Sequence, residues 1–325
     1  MFGNVTGWII SAVIAVVAAL VTYALVQAGV PTAPTGFAAE VLKPLTLVSA
    51  AEPFLKTTNT DDAGILYRDA IKDFNNHPDA YESLQHTMDY AKAKAIADNL
   101  PGLVNLLRAA DARCIGIFAG TPERIINSQD RPDDLEAIDG IGKTAGMVAA
   151  LAKVEKDYPT ARQYGRAILV LGVHLYQERL DYLEFAKGET LISLGISVLG
   201  SVDEAMGSSP DMPIDAAFKA QYSDESTKVV QPIVAKMNTL SPVANAENAG
   251  DMFVIATGNN YDRMWRVAAI RRIGRLQRNS DSKADQVKAA RVLKELSVDP
   301  KEDPIIHLAA SNALNMTESD FQSQR

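Results

Sequence analysis

The sequence predicts an all-α protein: one N-terminal transmembrane helix followed by a body of stacked helix hairpins, arranged as a solenoid or a bundle. Three observations predict it. The stretch Trp8 to Val26 is unbroken and apolar, with side-chain hydroxyls only at Ser11, Thr22 and Tyr23. From Asp61 onward apolar residues recur at helical spacing. No run shows sustained apolar–polar alternation bounded by hairpin turns.

The apolar stretch belongs to an anchor over residues 1–29. At 1.5 Å rise per residue it is about 30 Å long, the thickness of a bilayer's hydrocarbon core. A cleaved signal peptide is the competing reading, and QAGVPTAPTG offers small residues for a cleavage site. Against it, Met1 to Gly7 has no Lys or Arg and the apolar core is longer than a signal peptide needs. Lys43, alone near the C-terminal flank, favours a cytoplasmic body under the positive-inside rule. Short N-terminal anchors generally lead a body across the membrane, and the expectation is an extracytoplasmic, periplasmic body. Gly3, Gly7, Ser11, Ala15 and Ala19 recur every four residues as one strip of small side chains. Such a strip lets transmembrane backbones approach closely, so the helix is expected to pack on another, a second copy of the chain included. Trp8 and Tyr23 lie near the two interfaces, where aromatic belts form.

Residues 30–60 form a connector stiffened by Pro31, Pro34, Pro44 and Pro53. Beyond it, hydrophobic content of 47% with 22% charged residues suits a folded body rather than a disordered one. The net charge of −8 disfavours a nucleic-acid partner for the body as a whole. A single cysteine, Cys114, excludes an internal disulfide, and its apolar setting reads as a small core residue.

The body divides into a helical domain over residues 61–257 and a helical segment over 258–325. Asp61 and Asp62 stand where N-caps belong, before Ile65, Leu66, Ala70, Ile71 and Phe74. A second helix is expected through Tyr81, Leu84, Met88 and Ala91, with Pro101-Gly102 breaking the chain. Further helices are expected from Thr160 to Phe185, Gly188 to Ala205, Asp224 to Met237, and throughout Tyr261 to Met316.

The C-terminal segment resembles HEAT-type repeats. Ala268-Ala269 with Ile273, Ala289-Ala290 with Leu293, and Ala309-Ala310 with Leu314 repeat one pattern, and Pro300 and Pro304 fall between helices. Clear turn residues from repeat to repeat are missing. The string AGILYRDAI places Ala63, Tyr67 and Ala70 as a tetratricopeptide-like helix does, without the later proline. Both resemblances imply stacked α-hairpins that bind partners.

Ala137 to Thr144 reads AIDGIGKT and fits the loose phosphate-loop pattern, but what precedes it is polar and leaves no room for the core strand such a loop requires. LEAIDGIGKTAGMVAAL resembles a helix-hairpin-helix, whose Gly140–Gly142 turn would offer amides to a DNA phosphate. Its acidic flanks oppose that, and a plain packing corner turned by glycines is the alternative. Nucleotide or nucleic-acid handling through residues 137–146 is thus the rival to a binding role.

Projected at 100° per residue, Arg271, Arg272, Arg275 and Arg278 share one arc of a helix, opposite Trp265, Ala269, Ile273 and Leu276. The arc is a candidate surface for an acidic protein partner or anionic lipid; alternatively it pairs with acids of neighbouring helices, such as Asp299 to Asp303. His77, His86, His174 and His307 lack metal-pair spacing, and His174 reads as a satisfied core histidine. Glu178, Asp181 and Glu184 read as a solvated acidic face beside Arg179. No HExxH or GxSxG occurs, and no catalytic, cofactor or metal residues are expected. The functional expectation is a membrane-anchored helical scaffold or accessory subunit of an envelope complex, without catalysis.

Overall fold

The computed structural model describes residues 49–118, 131–207, 213–231 and 249–315. The anchor with its strip from Gly3 to Ala19, and most of the connector, lie outside them. The described body is mostly helical. Its N-terminal layer holds β1 (Asn59–Asp62), α1 (Ala63–Asn76), α2 (Pro78–Gln85), α3 (Tyr90–Ala97), α4 (Pro101–Ala109) and β2 (Ala112–Arg113). The middle comprises α5 (Arg131–Val154), α6 (Tyr158–Glu178), α7 (Tyr182–Met206) and α8 (Ala216–Glu225), and the C-terminal cluster is α9 (Ala249–Thr257), α10 (Arg263–Asn279), α11 (Lys283–Val298) and α12 (Pro304–Asn315). A 3₁₀ turn at Ser49–Phe54 precedes them.

Local chemistry sets the boundaries. The Asp62 carboxylate accepts from the Gly64 amide and starts α1, and Asp89 does the same for α3 through the Lys92 amide. The helix expected through Tyr81 to Ala91 is therefore two helices, with Met88 exposed in the link between them. Pro101 opens α4 rather than ending a helix, because a first-turn position needs no amide hydrogen. Pairing of β1 with β2 is parallel and short, Asn59 opposite Ala112 and Asp62 opposite Arg113.

The helix expected to run from Thr160 to Phe185 is interrupted at Arg179–Asp181. Arg179 takes a left-handed conformation at φ 31°, and the Asp181 carboxylate caps the next helix by accepting from the Glu184 amide. In return Glu184 accepts from the Leu180 amide at 2.9 Å, so the corner closes reciprocally.

The hairpin of α6 and α7 is the centre of the body, and α5 packs along both of its helices. A Cβ added at Gly172 would lie 2.6 Å from the Ile192 amide nitrogen, at Gly188 2.7 Å from that of Tyr176, and at Gly195 2.6 Å from that of Leu169. Backbone thus touches backbone along this seam. On α5, Gly140 receives the Phe74 ring and Gly142 the Leu191 side chain. Among the described residues, α7 is one helix long and apolar enough to cross a bilayer by length and composition. Half of its apolar window is buried in the body, and Gly188 and Gly195 face α6, which is how a core helix behaves.

Part of the connector folds onto this centre: Ala51 and Phe54 are buried, and Phe54 meets the Phe218 ring edge-on at 5.7 Å. In the C-terminal cluster α10 packs against α9, α11 and α12. Ala269, Ala289, Ala309 and Ala310 are buried there, with Ile273 and Leu293. Each alanine-pair segment forms one helix, and α9 joins this cluster rather than the helices before it.

Gly172→Ala is expected to cost about 3 kcal/mol or more, or to prevent folding, since the added methyl meets backbone that has no rotamer to change. Gly146→Ala on α5, whose Cβ would find only Ile168 Cδ1 at 4.0 Å, is expected to be neutral or stabilising by up to about 1 kcal/mol. Urea denaturation followed by circular dichroism separates the two outcomes.

Candidate functional site

A cavity of about 650 Å³ opens where α6 ends. Its wall is formed by the last turn of α6, the irregular segment after β2, the first residue of α10 and the start of α12. The segment Cys114–Phe118 is neither strand nor helix; it is held by side chains. The Glu178 carboxylate accepts from the Ile117 amide and, at 2.7 Å, from the Phe118 amide. From the other side the Arg68 guanidinium donates to the Gly116 and Ile117 carbonyls at 3.2 and 2.8 Å.

Arg179 spans two helix ends. Its guanidinium donates to the Asp262 carboxylate at 3.0 and 3.1 Å and to the α6 carbonyls of Tyr176 and Gln177. A left-handed backbone at a non-glycine residue is strained, and these contacts hold it there. Arg263 does the complementary work from α10, donating to the Gln177 carbonyl at 2.9 Å and to Asp303 at 2.8 Å. Asp303 also accepts from the Ile305 amide and so caps α12.

His174 is 5% exposed. Its Nδ1 lies 3.1 Å from Tyr67 Oη on α1, and burial pushes its pKa down from 6.5 to about 4. The ring is therefore neutral at pH 7. Burial pushes the Cys114 thiol well up, and Glu178 and Asp62 add to that, so it is protonated and a poor nucleophile. The sequence expectation of a small core cysteine holds only in part, since Cys114 is half-buried and lines the cavity. His174 is bonded at Nδ1, as a core histidine should be, but its ring also lines the cavity.

Glu178, Asp181 and Glu184 are not a solvated acidic face. Glu178 and Glu184 are buried, each on backbone amides, and Asp181 caps α7. The sequence carried a signal for this in the spacing of Asp181 and Glu184, the pattern of a capping box.

The string AIDGIGKT lies inside the unbroken helix α5, so neither a phosphate loop, a helix-hairpin-helix turn nor a packing corner exists there. In helical geometry its amides are consumed by carbonyls one turn back. Lys143 pairs with Asp139 at 2.7 Å, as does Lys187 at 3.0 Å, and the buried Thr144 hydroxyl donates to the Gly140 carbonyl.

On α10, Trp265, Ala269 and Ile273 face the core as predicted. Arg263 and Arg266 are the residues that take up the acids of the 299–303 stretch; Arg266 grips Glu302 through two bonds of 2.9 and 2.6 Å. Of the arc, Arg275 and Arg278 are exposed while Arg271 and Arg272 are half-buried. Arg278 donates to the Leu314 carbonyl. Burial lowers the Arg272 pKa, and the neighbouring Arg275 charge lowers it further; its buried Nη1 has no hydrogen-bond partner among the described residues. No group of three His, Cys, Asp or Glu side chains suited to a metal ion occurs among the described residues. Compared with known proteins, the chain matches no family model, no curated protein and no solved structure.

The depressed His174 pKa makes a signed prediction. Between about 4 and 6.5 the unfolded chain binds a proton that the folded protein refuses, so this contribution is complete above pH 6.5 and is lost as pH falls toward 4. From pH 7 to pH 5 the loss is roughly 2 kcal/mol. Urea denaturation at both pH values is expected to show that extra loss in the wild type and not in His174→Phe.

Proposed function

We propose that the protein is a membrane-tethered helical interaction protein, a scaffold or accessory subunit of an envelope complex, which works by holding a partner and not by catalysis. The apolar stretch Trp8 to Val26 supplies the tether and its small-residue strip a seam for a second copy of the anchor. The body stands on the extracytoplasmic side in this reading.

One observation carries it. Arg272 is a half-buried guanidinium beside a second cation, Arg275, with a buried N–H that no described group accepts. Desolvating a cation next to a like charge is unfavourable, and an acidic group arriving from outside relieves both terms. Arg275 and Arg278 extend the same arc toward solvent, and Arg271 lies half-buried on it. An acidic patch on a partner protein is the complementary surface, and the cavity groups, locked into backbone hydrogen bonds, leave no nucleophile and base poised for chemistry.

Cross-linking in the native membrane tests the reading, comparing wild type with Arg272→Glu combined with Arg275→Glu. The expected outcome is loss of the principal cross-linked protein, corresponding to at least about tenfold weaker binding, or about 1.4 kcal/mol, with the melting temperature unchanged. An unchanged set of cross-linked proteins removes the arginine arc from the function.

A further inference from the structure

The cavity at the end of α6 holds a hydrogen-bond donor that the fold does not use. Tyr67 is 2% exposed, and its hydroxyl has His174 Nδ1 as its one partner among the described residues. A buried phenol satisfies its O–H by donating, so Nδ1 is the acceptor. A neutral imidazole that accepts at Nδ1 carries its own proton on Nε2. That N–H has no protein acceptor among the described residues, and its nitrogen is not one of the fully buried unpartnered atoms, so solvent reaches it where His174 lines the cavity.

The rest of the wall narrows what the donor meets. Two cations, Arg179 and Arg263, and two anions, Glu178 and Asp303, lie around it, and each is engaged by the protein. The charges cancel, so an ionic ligand would give up its hydration for no uncompensated charge. Ile115, Pro304 and Ile305 supply apolar surface, and Ile115 is exposed at 71%. A volume of about 650 Å³ is in the range of sites for small organic molecules.

We propose that this cavity binds a small neutral organic molecule whose carbonyl oxygen accepts from His174 Nε2–H and whose aliphatic body lies on Ile115, Pro304 and Ile305. The site is separate from the arginine arc, so it stands or falls independently of the partner-binding role.

Three probes of equal length test it: hexanamide, hexanoate and hexylammonium, titrated into the full-length protein in detergent and followed by ligand-observed NMR. Hexanamide is expected to bind at concentrations up to about 50 mM, at least about tenfold tighter than either ion, and His174→Phe to weaken it about tenfold or more. A second variant guards against a folding failure. Ile115→Trp blocks the exposed rim without touching the His174–Tyr67 bond, and is expected to weaken hexanamide with an unchanged melting curve. No hexanamide binding, equal binding of all three probes, or undiminished binding by a folded His174→Phe or Ile115→Trp protein overturns the proposal.

Discussion

At three glycines the seam between α6 and α7 brings backbone against backbone, and the packing of α5 builds on that close approach. Ordinary helix pairs stand 8–10 Å apart because side chains fill the space between them. Here Gly172, Gly188 and Gly195 remove those side chains, and the two backbones approach until peptide meets peptide. Dispersion and weak Cα–H···O contacts act at short range where these glycines meet. With that distance set, α5 lies along both helices, and Gly140 and Gly142 on it take up Phe74 and Leu191. Where α6 ends, its residues His174, Gln177 and Glu178 line the cavity wall, with Arg179 just beyond them.

Three helix ends converge at that point: the C-terminus of α6 and the N-termini of α10 and α12. Free carbonyls and free amides of opposite partial charge come together there, and side chains satisfy both kinds. Arg179 and Arg263 donate to the α6 carbonyls, while Asp262 and Asp303 accept from amides of the following helices. Each arginine also pairs with one of those aspartates. The corner joining the C-terminal cluster to the body is therefore a closed polar network, and the His174 Nε2–H is left outside it.

Helical class, the Asp62 cap and the buried face of α10 were legible in the sequence because each depends on neighbours three or four residues away. The same local logic misplaced the glycines of AIDGIGKT. A Gly-rich string favours a turn in isolation, but Phe74 and Leu191 press on Gly140 and Gly142, and that tertiary contact keeps the segment helical. The candidate site was hardly legible at all. Glu178 read as solvated because its partners, the Ile117 and Phe118 amides, are 61 and 60 residues away, and no periodicity records such a contact. The pairing of Arg266 with Glu302 was hidden for the same reason, although the acidic stretch itself was identified as a source of partners.

Sequence distance along the Tyr67–His174 bond also sets an order of events during folding. The hairpin of α6 and α7 closes over the few residues around Arg179, so its loop entropy is small and its contacts are among the first that the chain can reward. Tyr67 is 107 residues from His174, and its hydroxyl can dock only after α1 settles on the finished hairpin. The wall of the cavity is consequently assembled late, from parts whose shapes are already set. A mutation in the glycine seam acts on the folding nucleus, whereas one at the cavity acts mainly on how long the native protein lasts before it unfolds.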